Sequence, residues 1–206
     1  MSKQVDHASR RREALRKALH LFAEIGYQQV TYQQLADVCG LPRTALYKYF
    51  KTKKEILDNA INQLMLDLND EISTTLVREP NLDSKGKLEL IVNTAVEACL
   101  KNPALLRASV EYLIAQRRQG ESVERKIKRH TIGFQLNIKN IVQDGIERRE
   151  FKPVSPMMTA DIFFCLMEAA VMHIMFYDDI DKKSLVSHCN YLIHSLMKEK
   201  ADGGQE

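Results

Sequence analysis

The stretch LADVCGLPRTALYKYF, residues 35–50, decides the fold of this chain. The residues from Gln33 to Cys39 have the apolar spacing of a short helix, and Gly40 tolerates the positive φ angle that often ends one. Pro42 fits the opening turn of a second helix, where its missing N–H leaves no hydrogen bond unmade. The pattern therefore predicts two short helices joined by a tight glycine turn.

The second of these helices is only about two turns long and has one apolar side. Leu46 and Phe50 lie four residues apart, so both point inward. The remaining side chains point mostly outward: Arg43, Thr44, Tyr47, Lys48 and Tyr49. A short helix with a basic, hydroxylic and aromatic outer face suits the major groove of DNA.

Basic residues are concentrated around this motif. The 206-residue chain has a net charge of only +3. Residues 1–57, however, contain 11 Lys and Arg against 5 Asp and Glu, a balance of +6, so the remaining residues carry −3. A local excess of this kind is what neutralisation of DNA phosphates requires.

The composition favours an all-α protein. Hydrophobic residues make up 45% of the chain, which is enough for a sizeable core, and the 8 Gly and 5 Pro fall mostly between helical patterns. No alternating run of β-branched residues supports a sheet. We predict about nine helices, the first starting at Arg10 and ending at Gly26, the fourth running from Thr52 to about Val77. Those that follow lie at about 87–101, 103–119, 122–149, 157–177 and 182–198.

The N-terminal quarter resembles the TetR family of bacterial transcription regulators. The matching residues are LFAEIGY at 21–27, Thr31, LA at 35–36, CGL at 39–41, LYKYF at 46–50 and TKKEIL at 52–57. The resemblance implies a three-helix helix-turn-helix DNA-binding domain at residues 1–55. It also implies a larger helical domain at residues 56–206, which binds a ligand and dimerises.

The resemblance also implies roles for individual residues. Base reading falls to Arg43, Thr44 and Lys48, with Tyr32 as a further candidate, and an arginine can bind guanine through two parallel hydrogen bonds. Thr31 caps its helix and meets a phosphate. The remaining predicted DNA-binding residues are Pro42, Tyr47, Tyr49 and Lys53, of which the last three hold the backbone.

Three of these assignments are qualified. Pro42 and Thr44 stand where many family members have Ser and Gly, so the operator sequence cannot be carried over. Tyr47 has an alternative role in packing against the first helix.

The run from Ile162 to Tyr177 is apolar nearly all round. It spans 16 residues and contains Glu168 and His173, which makes it short and polar for a membrane span. A helix that has no polar, solvent-exposed face must be packed on both sides. We predict that its own domain covers one side and that a second subunit covers the other. Family members dimerise through their last two helices. The predicted interface residues are Phe163, Met167, Val171, Ile174, Cys189, Leu192 and Leu196.

Polar groups embedded in apolar helical patterns are typical of a small-molecule pocket between helices. The candidate lining residues are Glu111, Tyr112, His130, Phe134, Met167 and Glu168. The alternative is that each is a satisfied core or interface residue. An apolar effector would suit such a site.

The sequence favours no enzymatic function. The six His have no metal-ligand spacing, and there is no Walker loop, nucleophile elbow or GxGxxG motif, so we predict neither a cofactor nor a metal. The N-terminus lacks an apolar signal core, which predicts a cytoplasmic protein, and the four Cys are interpreted as buried free thiols.

These patterns together predict a homodimeric regulator that binds double-stranded DNA at a palindromic operator. It is most simply a repressor that a small molecule releases. One alternative is a ligand-independent DNA-binding protein controlled by a protein partner. Another is a helical enzyme or ligand carrier.

Overall fold

A computed structural model describes residues 2–198, with side chains from Ser9 onward except that of His130. Within this part the chain forms nine α-helices and no sheet, which confirms the all-α prediction. The helices are α1 (Ser2–Ile25), α2 (Tyr32–Cys39), α3 (Arg43–Tyr49), α4 (Lys53–Arg78), α5 (Ser84–Lys101), α6 (Pro103–Arg118), α7 (Val123–Glu147), α8 (Pro156–Phe176) and α9 (Lys182–Leu196).

The largest difference from the predicted bounds is at the start of α1. This helix begins at Ser2, eight residues before the predicted start at Arg10. The segment before Arg10 has no apolar stripe, so periodicity gave no signal there. It also contains no Gly or Pro, and adding a turn to an existing helix is far easier than nucleating a new one.

The chain divides into two compact units. The N-terminal unit comprises the chain up to Leu68 together with Asn102–Thr131, and the C-terminal unit comprises Asn69–Lys101 and the chain from Ile132 onward. Both α4 and α7 contribute to each unit. The predicted division between residues 55 and 56 separates functions rather than packing units, and it stays a prediction.

The core of the N-terminal unit joins the helix-turn-helix to α6. In α1, Leu15, Ala18 and Phe22 are fully or almost fully buried, and α1 packs against both α2 and α6. From α6, Tyr112 is only 1% exposed. The other buried members of this core are Tyr27, Val30, Leu35, Ala36, Leu46, Phe50, Ile56, Leu57, Ala60, Ala108 and Ala115.

In the C-terminal unit, α5 packs against α8 and α9. The connection between α7 and α8 is also anchored. Phe151 is 1% exposed and lies so close to Gly145 that a β-carbon there would overlap its ring. The backbone N–H of Lys152 donates to Leu196 O at 2.8 Å, which ties this connection to the end of α9.

Helix α8 has a buried apolar side, and its exposed side carries apolar residues together with Asp161, Glu168 and His173. Five of the seven predicted interface residues are buried inside the C-terminal unit: Phe163, Met167, Ile174, Cys189 and Leu196. Val171 and Leu192 are half-buried. The residues predicted to form the dimer interface therefore mostly form the core of this unit. The difference from the prediction arises because the apolar periodicity of a helix reports packing within the chain before it reports packing against a partner.

The exposed side of α8 carries a second stripe of residues spaced four, three, four, three and four apart. We call it the α8 stripe: Met158, Ile162, Cys165, Ala169, Met172 and Phe176. The prediction that every Cys is buried holds fully only for Cys189: Cys39 and Cys99 are half-buried, and Cys165 is exposed. Its predicted burial rested on apolar neighbours in sequence, but Phe163 and Met167 lie on the buried side of the helix whereas Cys165 lies on the exposed side.

By length and composition alone, α8 is long and apolar enough to cross a membrane. It spans 21 residues, longer than the predicted apolar run. Its buried side, including Phe163 and Ala170, packs within the C-terminal unit as the core helix of a globular domain does.

Candidate nucleic-acid interface

The turn between α2 and α3 is built as the sequence predicts. Gly40 ends α2 in the left-handed conformation, with φ 66°, and Leu41 N donates to Ala36 O at 3.0 Å. At the start of α2, Thr31 and Gln34 form a reciprocal capping box. These local hydrogen bonds set where α2 begins and ends.

Pro42 lies one position earlier than predicted, at the N-cap of α3 rather than in its first turn. Proline has no side-chain acceptor, so it makes no capping hydrogen bond. Its carbonyl nonetheless accepts from the N–H groups of Ala45 and Leu46, at 2.8 and 3.0 Å. The helix therefore starts at Arg43.

The outer face of α3 is open to solvent. Leu46 is completely buried and fixes which side faces the core. Five predicted DNA-binding residues are exposed: Thr31, Pro42, Arg43, Thr44 and Lys48. The other four are half-buried: Tyr32, Tyr47, Tyr49 and Lys53. This arrangement presents two cations and a hydroxyl from one short helix.

Three of the predicted residues are in mutual contact. The rings of Tyr32 and Tyr47 stack with their centroids 4.1 Å apart and their planes 11° from parallel. Arg43 Nη2 donates to the Tyr47 hydroxyl at 3.1 Å. Its guanidinium carbon lies 5.8 Å from the Tyr32 centroid and 5.5 Å from the Tyr47 centroid, within the range of a cation–π contact.

The hydroxyl of Tyr32 is turned away from solvent. It donates to Phe50 O at 2.6 Å, at the end of α3. Burial raises the pKa of the Tyr32 phenol to about 12, so it stays protonated and keeps donating. This proton is already used inside the protein, and base reading by Tyr32 stays a prediction without support from the geometry.

Lys53 has an internal role that sequence reasoning missed. Its ammonium group donates to the carbonyl oxygens of Tyr27, Gln28 and Val30, at 3.0, 3.2 and 3.0 Å. It also lies 4.8 Å from the centroid of the Tyr27 ring. An ammonium has three N–H donors, and these bonds engage all three. Phosphate contact by Lys53 stays a prediction, while its evident role is to hold the turn between α1 and α2.

The same turn is bound from the other side by α6. The Tyr27 N–H donates to the Glu111 carboxylate at 3.2 Å, and the Tyr27 ring meets the Tyr112 ring edge-on with centroids 4.9 Å apart. Lys126 Nζ in turn donates to the Tyr112 hydroxyl at 2.7 Å. Burial is the main cause that raises the pKa of Tyr112, followed by the nearby Asp58, so its hydroxyl stays protonated.

A set of charges closes this network near the start of α4. Lys126 lies 3.4 Å from both Asp58 Oδ2 and Glu121 Oε2, and Glu121 also pairs with Lys54. We call the whole set the Tyr27 network: Tyr27, Lys53, Lys54, Asp58, Glu111, Tyr112, Glu121 and Lys126. Its contacting partners include Tyr27 and Tyr112, which are 85 positions apart in the chain, so no local pattern could have revealed it.

The arginine run within α1 includes one residue that contacts the rest of the unit and one that faces solvent. Arg11 Nη2 donates to Asn59 Oδ1 at 2.8 Å, and the guanidinium lies 5.0 Å from the centre of the Phe50 ring. Arg12 is exposed and lies 3.9 Å from Asp67. Arg11 therefore links α1 to α4 through its hydrogen bond to Asn59.

The predicted pocket residues fall in different places. Glu111 and Tyr112 belong to the N-terminal unit, whereas Phe134, Met167 and Glu168 belong to the C-terminal unit, and the side chain of His130 lies outside the described residues. Glu168 is exposed. An open cavity of about 380 Å³ is lined by Gln28, Glu111, Ile114, Ala115, Arg118 and Gln119, all in the N-terminal unit. The predicted pocket as a set stays a prediction.

Comparison with known protein families shows to which family the chain belongs. A family profile described as bacterial regulatory proteins, tetR family, matches residues 14–60, and one described as tetracyclin repressor-like, C-terminal domain, matches residues 89–187. The chain belongs to the TetR family. It is therefore a DNA-binding transcription regulator.

Individual relatives agree with this assignment. The transcriptional repressor KstR2 of Rhodococcus jostii is 31% identical over 114 residues, which is 54% of this chain and 55% of KstR2. The chain thus matches only about half the length of that relative.

Solved structures match more of the chain. The crystal structure of FadR from Bacillus subtilis in complex with stearoyl-CoA superposes with a TM-score of 0.73 at 21% identity, covering 91% of this chain and 98% of FadR. That of AibR in complex with isovaleryl coenzyme A and operator DNA gives 0.61 at 13% identity, covering 91% and 100%. At these identities the likeness establishes the fold.

The anchoring role of Lys53 can be tested in the absence of DNA. Lys53→Met keeps most of the side-chain volume but leaves three carbonyls of the α1–α2 turn without their donor. We expect the free energy of unfolding to fall by about 1–3 kcal/mol, measured by urea denaturation. Lys51→Met, at an exposed lysine two residues away, is the matched control and should change it by less than about 0.5 kcal/mol. Equal stability of the two variants would contradict this role.

Proposed function

We propose that this TetR-family protein is a cytoplasmic, homodimeric repressor that binds a palindromic operator and is released by an acyl-CoA thioester. The observation that carries the DNA-binding part is the exposed face of α3, which presents Arg43, Thr44 and Lys48 from a helix whose other side is fixed by Leu46. The predicted major-groove docking of α3 fits this geometry.

Within this proposal the contacts divide by chemistry. Arg43 reads guanine because its guanidinium can donate to O6 and N7 together, and the Thr44 methyl suits a thymine methyl. Lys48 lies four residues after Thr44, hence on the same side as Thr44, and adds a second exposed cation to α3. Thr31, Tyr47 and Tyr49 surround these readers and set the register on the phosphate backbone, as in our sequence-based assignment, while Pro42 lies at the N-cap of α3.

Selection of bound fragments from random duplex DNA tests the operator directly. We expect a palindrome with half-sites about 34–36 Å apart, one turn of DNA. Arg43→Ala should weaken binding to the selected operator by about 1–3 kcal/mol and remove the preference at one base pair of each half-site. Binding should be measured at fixed salt, and Arg12→Ala is a control outside α3. Recovery of no motif from the parent protein would contradict the proposal.

The α8 stripe supports dimerisation through a face different from the one first predicted. Its regular four-three spacing gives a straight apolar seam of the kind that packs helix against helix. Met158, Met172 and Phe176 are 65%, 51% and 70% exposed in the single chain. Tyr191 of α9 is 80% exposed as well. A second copy using the same face would give the two-fold symmetry that a palindromic operator requires.

Ile162→Asp places a charge in this seam and should convert the dimer into a monomer. The mass in solution, measured by light scattering after gel filtration, should halve, and operator affinity should fall with it. Leu66→Asp is the matched control, since Leu66 of α4 is 49% exposed against 44% for Ile162. A dimer that survives Ile162→Asp would place the interface elsewhere.

Chemical modification of Cys165 is an independent test of the proposed dimer interface. A thiol reagent should modify Cys165 rapidly in the Ile162→Asp monomer and slowly in the parent dimer. Cys99 and Cys189 serve as internal references, because burial raises the pKa of both thiols to about 11 and should keep them slow in either state.

The effector proposal draws on the relatives. FadR and AibR, which share this fold, were crystallised with acyl-CoA thioesters. In this chain the C-terminal unit contains the apolar helix α8, and Phe134 and Met167 are candidate lining residues for an acyl chain. Because α4 runs from one unit into the other, we propose that the ligand shifts α4 and so changes the separation of the two reading helices.

Adding acyl-CoA to the operator complex tests this coupling. A coupling free energy of about 1–3 kcal/mol would lower operator affinity by roughly 5 to 150-fold in a band-shift titration. Coenzyme A without an acyl group is the control and should have little effect. If no chain length from short to long weakens the complex, the alternative of a DNA-binding protein controlled by a protein partner gains support.

A further inference from the structure

We propose that Tyr47 is a positioning residue for Arg43, holding the guanidinium ready for a base that Tyr47 itself does not touch. The inference rests on the proposed function, in which Arg43 reads a base pair. It also assigns Tyr32 to the support of this arrangement instead of to base reading.

The first link is the contact between Arg43 and Tyr47. The two residues lie four positions apart, hence on the same side of α3. Arg43 Nη2 donates to the Tyr47 hydroxyl at 3.1 Å, and the guanidinium carbon lies 5.5 Å from the ring centroid. One of the five N–H donors of Arg43 is thereby used, and the remaining donors include the pair needed for guanine O6 and N7.

The second link holds Tyr47 itself. Its ring stacks on Tyr32 with a centroid distance of 4.1 Å, and the hydroxyl of Tyr32 donates to Phe50 O at 2.6 Å. Phe50 is 1% exposed, so this carbonyl belongs to a residue fixed in the core. The chain of contacts thus runs from a buried residue through two stacked rings to an exposed cation.

Such an arrangement matters because a free arginine side chain has many rotamers. Fixing it on binding would reduce affinity, and a side chain already held in one geometry loses less rotational freedom. The Tyr47 hydroxyl also restricts the direction in which the guanidinium points, so it should affect discrimination between base pairs more than overall attraction to DNA. The latter depends mainly on charge, which Tyr47 does not carry.

The test removes only the hydroxyl. Tyr47→Phe keeps the ring that stacks on Tyr32, and Tyr49→Phe removes a hydroxyl from the same helix as a matched control. Each variant is titrated against the operator that the parent selects and against single base-pair substitutions of it. The base pair read by Arg43 is identified as the one at which Arg43→Ala abolishes the preference of the parent.

At that base pair, Tyr47→Phe should lose discrimination by about fivefold, while its melting temperature stays close to that of the parent. Its affinity for random DNA should fall no further than that of Tyr49→Phe, because both variants remove a hydroxyl assigned to the phosphate backbone. Tyr49→Phe should leave this discrimination unchanged. In the Arg43→Ala background, Tyr47→Phe should have no further effect there, because a positioning residue acts only through the group it positions.

Two outcomes separate the possible failures. If the parent selects an operator and Tyr47→Phe discriminates at the Arg43 base pair as the parent does, the positioning role is overturned while the proposed function stands. If the parent selects no sequence, or Arg43→Ala flattens no position, then base reading by Arg43 fails and the positioning role fails with it.

Discussion

The turn between α1 and α2 is the constraint on which the DNA-binding end of the molecule depends. Tyr27 lies at its centre: its N–H is bound by Glu111, its carbonyl by Lys53, and its ring by Tyr112. The turn sets where α2 begins, and α2 with its glycine turn sets where α3 lies. The position of α3 therefore depends on polar contacts that α4 and α6 make with this turn, in addition to the apolar core that contains Leu46.

This arrangement separates the cations of the N-terminal unit into two groups. Arg11, Lys53 and Lys126 make hydrogen bonds or ion pairs inside the unit, whereas Arg43 and Lys48 lie on its surface. A count of basic residues cannot distinguish them, although only exposed cations are free to neutralise phosphate. The half-buried group instead holds the elements around α3 together through its hydrogen bonds and ion pairs.

The C-terminal unit shows a related division on a single helix. One side of α8 supplies Phe163, Ala170 and Ile174 to the core, and the other presents the exposed α8 stripe. Apolar surface that stays exposed on one chain can still be removed from water when a second copy packs against it. An apolar stripe on the exposed side of α8 would therefore stabilise a dimer. This exposed stripe agrees with the dimerisation of TetR-family members through their last two helices.

The sequence by itself determined the all-α fold, the positions of the helices, the glycine turn and the family. These follow from periodicity, capping residues and turn chemistry, which act between residues a few positions apart, as with Thr31 and Gln34 or Gly40 at the end of α2. Tertiary structure alone decided that Lys53 and Arg11 turn inward, that Tyr32 bonds Phe50, and which side of α8 is buried. Those outcomes depend on partners far away in the chain, and an apolar or basic residue has the same local signature whichever way its side chain points.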